Sequence, residues 1–283
     1  MDDLATRDAP LEYWFWKVSM PNGGAIVDYI VRRDRVEAEL RVSTWLEGVR
    51  PVIHHFAKTW TSSVDGIRIE DAHLSSTGSR GETGGVSWDI DWDLGADRLA
   101  PRPSWFGPLH PYDLEIIVRP AAAVRGTLTI DGRETRLDGP AGVSHYWGRR
   151  LPARWTWISA TGFDDQPDAR VEASLVSTRL WGRGPGTPAG WVWLRSAGKT
   201  EGTLMPLTGV ITGPADGRSV RMSSLRLDGR RHMLECSADA EAFNDAEEGI
   251  RQTMVADLSL DGRRRASGSV GLEFRDERRP VSP

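Results

Sequence analysis

The feature that most constrains this chain is an alternation of apolar and polar residues with a period of two, which recurs along most of its 283 residues. Side chains two apart share one face of a strand, whereas a helical face repeats every 3.6 residues. In Val86-Ser87-Trp88-Asp89-Ile90-Asp91-Trp92-Asp93-Leu94, the apolar Trp88, Ile90, Trp92 and Leu94 fall on one face and three aspartates on the other. Such extended alternation does not match a calcium-binding EF-hand loop, so the aspartates read as a solvated sheet face. Val36, Ala38, Leu40 and Val42 alternate in the same way, and Ala25–Val31 is a β-branched run after the turn Pro21-Asn22-Gly23-Gly24. Asp-Gly recurs between alternating segments at Asp131-Gly132, Asp228-Gly229 and Asp261-Gly262. It is a strong hairpin signal, because a type I′ turn needs positive φ at both central residues. The best helical candidate, Ala240–Gly249, is short and acidic. The pattern predicts an all-β, antiparallel fold of about twenty strands, too many for one ordinary barrel and therefore two β-domains.

Three breaks interrupt the alternation: Ala100-Pro101-Arg102-Pro103-Ser104, and the glycine-rich loops expected at Gly182–Gly190 and Gly213–Gly217. We place the domain division at 139/140, giving an N-terminal domain over 1–139 and a C-terminal domain over 140–283. That division sets a tryptophan-rich segment at the junction, where ligand sites tend to form.

A formal net charge of −4 and a pI near 5.9 disfavour nucleic acid as a partner, because such binding needs a basic face. One cysteine, Cys236, excludes an internal disulfide and a cysteine-rich zinc site, and in a predicted strand it reads as a core residue. Nothing in the sequence points to a metal. Met1–Pro10 lacks the apolar stretch of a signal peptide, and no run is long enough to span a bilayer. A soluble, cytoplasmic protein is the expectation.

Tryptophan is over-represented, with 13 indoles against 4 tyrosines and 6 phenylalanines. Trp14/Trp16, Trp155/Trp157 and Trp191/Trp193 are each two apart, so each pair shares one strand face. The segment Gly142–Trp157 joins a glycine-bracketed His145-Tyr146-Trp147 to one of these pairs. It fits an aromatic-walled pocket or a tryptophan-rich core at a strand crossing.

Two segments carry a family resemblance. Glu12-Tyr13-Trp14-Phe15-Trp16-Lys17 resembles the Glu-x-Trp-Tyr-x-Lys opening strand of tocopherol cyclase-like proteins. Gly126–Phe163 resembles their hairpin, Trp-Gly segment and Trp-x-Trp strand, and His145 matches a position that carotenoid 1,2-hydratases also fill with histidine. The chain departs from the family at Ser144, where relatives carry Glu or Asp, and at Tyr146, where they carry Asn. The resemblance implies two lipocalin-like (calycin) β-barrel or sandwich domains around an apolar pocket, with no metal or organic cofactor. It also implies chemistry on isoprenoids or polyenes: cyclisation, hydration or, in fungal members, Diels–Alder reactions.

Three functions follow as expectations. The first is a cofactor-independent cyclase or isomerase that folds a flexible apolar substrate, a polyene, isoprenoid or polyketide, into a reactive conformer. The second is a hydratase or protonation-initiated cyclase, and the third a lipid- or pigment-binding protein without turnover. His145, Tyr146 and Glu12 are the candidate catalytic residues, and Trp14, Trp16, Trp147, Trp155 and Trp157 the candidate walls. Strand alternation puts His145 with Trp147 on one face and Ser144 with Tyr146 on the other. The pair expected to line the pocket is His145 with Trp147.

Overall fold

The computed structural model describes residues 3–21, 23–46, 48, 52–100, 114–180, 183–196, 199–205, 218–225, 231–246, 249–262 and 264–276. Most of them lie in strands. The first eleven strands are β1 (Leu11–Met20), β2 (Gly23–Arg32), β3 (Glu37–Thr44), β4 (Ile53–Ala57), β5 (Trp60–Ser63), β6 (Gly66–Ile69), β7 (Ala72–Ser75), β8 (Gly78–Thr83), β9 (Val86–Asp93), β10 (Leu114–Ile130) and β11 (Arg133–Gly148). The rest are β12 (Arg154–Phe163), β13 (Gln166–Leu180), β14 (Arg183–Ser196), β15 (Lys199–Met205), β16 (Ser219–Leu225), β17 (Arg231–Ser237), β18 (Asn244–Ala246), β19 (Ile250–Leu260) and β20 (Arg264–Asp276).

Two sheets result. The first has the order β4-β3-β2-β1-β11-β10-β9-β8-β7-β6-β5. Its outermost strands, β4 and β5, are joined by Lys58 and Thr59 alone, so the two edges are brought together and the sheet curls into a nearly closed barrel. Trp14, Trp16, Tyr29, Trp88, Ile90 and Leu128 fill its interior. The second sheet, β15-β14-β13-β12-β20-β19-β17-β16 with β18 beside β19, forms a half-barrel over a core that includes Ile158, Val171, Leu258 and Leu272. This is the all-β, two-part lipocalin-like architecture that the alternation and the resemblance led us to expect. The division expected at 139/140 falls inside β11, which stays in the first sheet to Gly148; the second sheet begins at Arg154.

Several local expectations resolve at this level. Along β9 the apolar face is buried and the aspartates are exposed, with Arg80 bonding Asp89 and Asp91. Ile130 pairs with Arg133 across Asp131 (φ 49°) and Gly132 (φ 81°), the two positive values a type I′ turn requires. Leu260 pairs with Arg264, so that loop is one residue longer, while Asp228-Gly229 and Gly213–Gly217 lie outside the described residues. So does the proline-rich break beyond Ala100. Val36 does not extend the β3 face: it sits in the preceding turn with φ 51° and is 62% exposed.

Two expectations are corrected. From Arg183 onward the glycine-rich segment is strand β14, because its backbone pairs with β13 through Thr178↔Thr187 and Leu180↔Arg183. The helix expected at Ala240–Gly249 is one 3-10 turn, Ala240–Ala242, followed by β18 against β19. So short a helix cannot recover its nucleation cost, whereas alternation buries Asn244 and Ala246.

Candidate active site

The outer face of the first sheet, along β1 and β2, packs on the face of the second sheet formed by β12, β19 and β20. Leu11, Tyr13, Phe15, Ile26, Ile30 and Trp45 meet Trp157 and Met254 there. Between them lies a narrow cleft with a cavity of about 40 Å³, lined by Tyr13, Phe15, Tyr146, Trp155, Trp157 and Glu273 among others. Tyr13 and Phe15 lie 5.5 and 5.7 Å from Tyr146, ring centroid to centroid, and Phe15 meets Trp157 edge-on at 6.3 Å. Stacked and edge-on aromatic contacts of this kind make a stiff wall.

Behind the aromatic lining lies a layer of buried charge. Lys17 on β1 reaches across to Glu172 on β13 at 2.6 Å, and both side chains are 2% exposed. Glu172 also accepts the Trp157 indole N–H at 2.5 Å, and the Lys17 ammonium sits 4.0 Å over the Trp157 ring. Two glycines make room for this cluster. A Cβ on Gly142, the register partner of Lys17, would come within 2.3 Å of Lys17 Cε, and one on Gly271 within 2.7 Å of the Trp157 ring edge. Arg41 on β3 pairs with Asp28 on β2 at 2.5 Å and donates to the Tyr13 hydroxyl at 3.0 Å, while that hydroxyl donates to Asp28 at 2.9 Å. Burial pushes the Asp28 carboxyl up despite Arg41. It pulls the Lys17 ammonium down against the pull of Glu172.

Glu273 on β20 is different. It accepts the Trp155 indole N–H, and among the described residues no cation stands within ion-pair distance of it. Burial raises its carboxyl from 4.5 to about 7, with Arg41 opposing and Asp28 reinforcing the shift. Near neutrality it is therefore a carboxylic acid as often as a carboxylate, and it faces the cleft. Tyr146, in the same lining, stays a phenol because burial drives its ionisation far above the ordinary range.

The residues singled out in the sequence divide between two faces. Tyr146, Trp155 and Trp157 line the cleft. Glu12, Trp14, Trp16, His145 and Trp147 lie on the opposite face of β1 and β11, turned into the first barrel, because register pairs Glu12 with Trp147 and Trp14 with His145. The pair that reaches the cleft side is thus Ser144 and Tyr146, not His145 and Trp147. His145 is stacked on Trp14 at 4.5 Å, with Nδ1 3.0 Å from the Asp3 carbonyl and Nε2 3.1 Å from Glu12. Thr6 and the Arg7 backbone donate to Glu12, and Arg33 pairs with it at 3.0 Å. Burial lowers the imidazole pKa, while the hydrogen bonds to Glu12 and the Asp3 carbonyl oppose the shift. Burial would raise Glu12, but its hydrogen bonds, the one with His145 foremost, hold it low. This network ties the N-terminal segment onto the barrel, where Leu4 joins the core and accepts the Trp14 indole N–H at 2.9 Å.

Glu273, Glu172, Lys17, Asp28 and Arg41 were not legible as a site. Each alternates with buried or partly buried apolar neighbours, as Glu273 does with Leu272 and Phe274, and in a sequence that pattern reads as a solvated face. Among the described residues no cluster of three His, Cys, Asp or Glu side chains is placed to hold a metal. No helix there is long and apolar enough to cross a membrane.

No family model matches the sequence, and no curated protein matches it in sequence. Solved structures do share the fold. A crystal structure of a candidate AttH from Nitrosomonas europaea matches with a TM-score of 0.65 at 13% identity, covering 95% of this chain and 93% of that one. Kievitone hydratase from Nectria haematococca matches at 0.61 and 13% identity, over 93% and 87%. CghA with Sch210972 matches at 0.64 and 11% identity, over 94% and 88%. The chain therefore has the architecture of these proteins along nearly its whole length.

Proposed function

We propose that this protein is a cofactor-independent enzyme acting on an apolar, unsaturated small molecule in the cleft between the sheets, with Glu273 as its acid. The observation that carries this reading is a carboxyl held at about 7 by burial, open to an aromatic-walled cleft and paired with no cation among the described residues. Protonating a carbon–carbon double bond requires an acid that is still protonated at the working pH and held against carbon, and proton donors work best with a pKa near that pH. Glu273 supplies the proton; the alkene π pair forms the new C–H bond and leaves a cation on the adjacent carbon. Indole and phenyl faces stabilise such a cation by about 0.5–2 kcal/mol each. Capture by water, with the water proton returned to Glu273, is hydration. Capture by a second double bond, with the resulting cation losing a proton to the Glu273 carboxylate, is cyclisation, and direct loss of a neighbouring proton is isomerisation. The fold shared with a hydratase supports the reading.

A specific observation also favours catalysis by shape, as in an intramolecular cycloaddition. The walls are clamped: Trp157 is held by Glu172, Lys17 and Phe15, and Tyr146 by Tyr13 and Phe15. Orientation alone can contribute about 7–11 kcal/mol. Turnover of terpenoid and polyene substrates in D2O separates the readings. Acid catalysis places deuterium on carbon in the product, and Glu273→Gln abolishes it. Cyclisation without deuterium, retained in Glu273→Gln, assigns the chemistry to shape. Saturable binding with no product across the panel makes the protein a carrier.

A further inference from the structure

The two indoles of β12 are each bonded to a glutamate, yet among the described residues only the pair at Trp157 is completed by an ammonium. Trp157 stands directly opposite Ser174 on β13 and donates to Glu172, two residues along. Trp155 stands directly opposite Arg275 on β20 and donates to Glu273, again two residues along. At Trp157 the Lys17 ammonium fills the angle between carboxylate and ring, 2.6 Å from Glu172 and 4.0 Å from the ring centroid. At Trp155 the nearest counterpart is the Arg275 guanidinium, 5.2 Å over the ring, which donates to the Pro152 carbonyl at the cleft rim. Among the described residues, Glu273 thus has an indole on one oxygen, aromatic walls around it and no ammonium.

We propose that the cleft binds apolar amines, with the ligand's ammonium seated against Glu273 and Trp155 as Lys17 is seated against Glu172 and Trp157. The inference rests on the cleft being the small-molecule site. The protein's own lysine side chain, a four-carbon apolar stem ending in an ammonium, models the ligand: a short hydrocarbon with a terminal primary amine. The stem lies against aromatic rings and the charge takes a carboxylate and an indole face, where cation–π attraction is strongest. An amine placed there also resembles the cation that protonation by Glu273 would leave in the cleft.

The charges bearing on Glu273 set the pH dependence. Arg41 is committed to Asp28 and Tyr13, Lys17 to Glu172, and Arg275 to the rim carbonyl and the outer indole, while Tyr146 stays neutral. A proton leaving Glu273 therefore gives a carboxylate that a ligand cation can pair with, and the ammonium gains as pH rises through about 7.

The test compares three probes of one shape by calorimetry on the full chain: phenylbutylamine, phenylbutanol and phenylbutyrate. Near pH ~8.5 the amine is expected to bind at least about tenfold tighter than the alcohol, and the carboxylate weakest. Near pH ~5.5, with Glu273 protonated, the preference collapses towards unity. Glu273→Gln removes the amine-over-alcohol preference at both pH values. Equal binding of amine and alcohol at high pH overturns the inference while leaving the cleft as the site, and so does tighter binding of the carboxylate, which would make Arg275 the dominant charge. An amine preference that survives in Glu273→Gln places the ammonium elsewhere and overturns it too. If none of the three binds, the inference and the small-molecule reading of the cleft fall together. Because affinity is read at equilibrium and deuterium transfer by turnover, the acid role of Glu273 and the amine preference stand or fall separately.

Discussion

Trp157–Glu172 and Trp155–Glu273 are the same contact built twice on one strand, and what separates them is a single lysine. Lys17 crosses from the first sheet to Glu172, so that carboxylate is paired, sealed and 2% exposed. Glu273 receives no such partner among the described residues, and burial then acts on its carboxyl without a salt bridge to offset it. Identical side chains on the two strands that flank β12 thus become a strut between sheets in one case and an acid facing a cleft in the other. A group's chemistry is fixed by where its nearest opposite charge sits, more than by residue type or burial.

Removing the lysine tests the strut. Lys17→Met should leave Glu172 buried and uncompensated and cost about 3–5 kcal/mol in urea unfolding. Lys17→Met with Glu172→Leu should regain most of that loss, because a buried ion pair replaced by apolar groups of similar volume is often neutral. A double variant as unstable as the single would show that the pair stabilises in its own right.

Glu273→Gln tests the acid, and its stability effect has a defined sign. The folded carboxyl titrates near 7 against 4.5 for the ordinary group. Between those values the folded state keeps a proton that the unfolded chain has released, so stability is fully present below about pH 4.5 and declines as pH rises through about 7. Glutamine has no such proton. The variant should be more stable than the parent near pH ~8.5, by up to roughly 3 kcal/mol before screening at the cleft mouth reduces it, and should match it near pH ~5. Thermal melts at both pH values check this, and a gain at the lower pH alone would contradict the assignment.

His145→Ala addresses the other face of the same sheet. It removes a stacked ring and two buried hydrogen bonds, and should cost about 2 kcal/mol of stability. Phenylbutanol affinity in the cleft should not change, since His145 lies on the barrel side of β11. A selective loss of ligand binding would bring that network back into the site. The smallest effect is expected for Tyr146→Phe, which keeps the stacked ring and deletes one hydroxyl. A fall in kcat/KM of up to about tenfold, with unchanged melting temperature, would mark the phenol as a donor to substrate.

Periodicity by itself determined that this is an antiparallel β protein: the β9 alternation, the Asp131-Gly132 turn and the tryptophan pairs all sit as their spacing requires. Alternation also determined which residues travel together, Glu12 with Trp14 and Trp16 on one side of β1, Tyr13 with Phe15 and Lys17 on the other. It could not say which side met the cleft between the sheets, because both sides are buried, one in a barrel core and one under a second sheet. A strand with two buried faces carries no polar face to distinguish them, and here the more conspicuous residues, the Glu12–His145 pair and its indoles, lie on the barrel side. Glu273 was hidden for the complementary reason. A charged residue alternating with Leu272 and Phe274 is what a solvated strand looks like, and only the packing of β1 and β2 across β20 turns that position into a desolvated one. Local sequence sets φ, ψ and face, both short-range properties. The pKa of a carboxyl depends on water and charge brought from more than a hundred residues away, and only the tertiary structure supplies those.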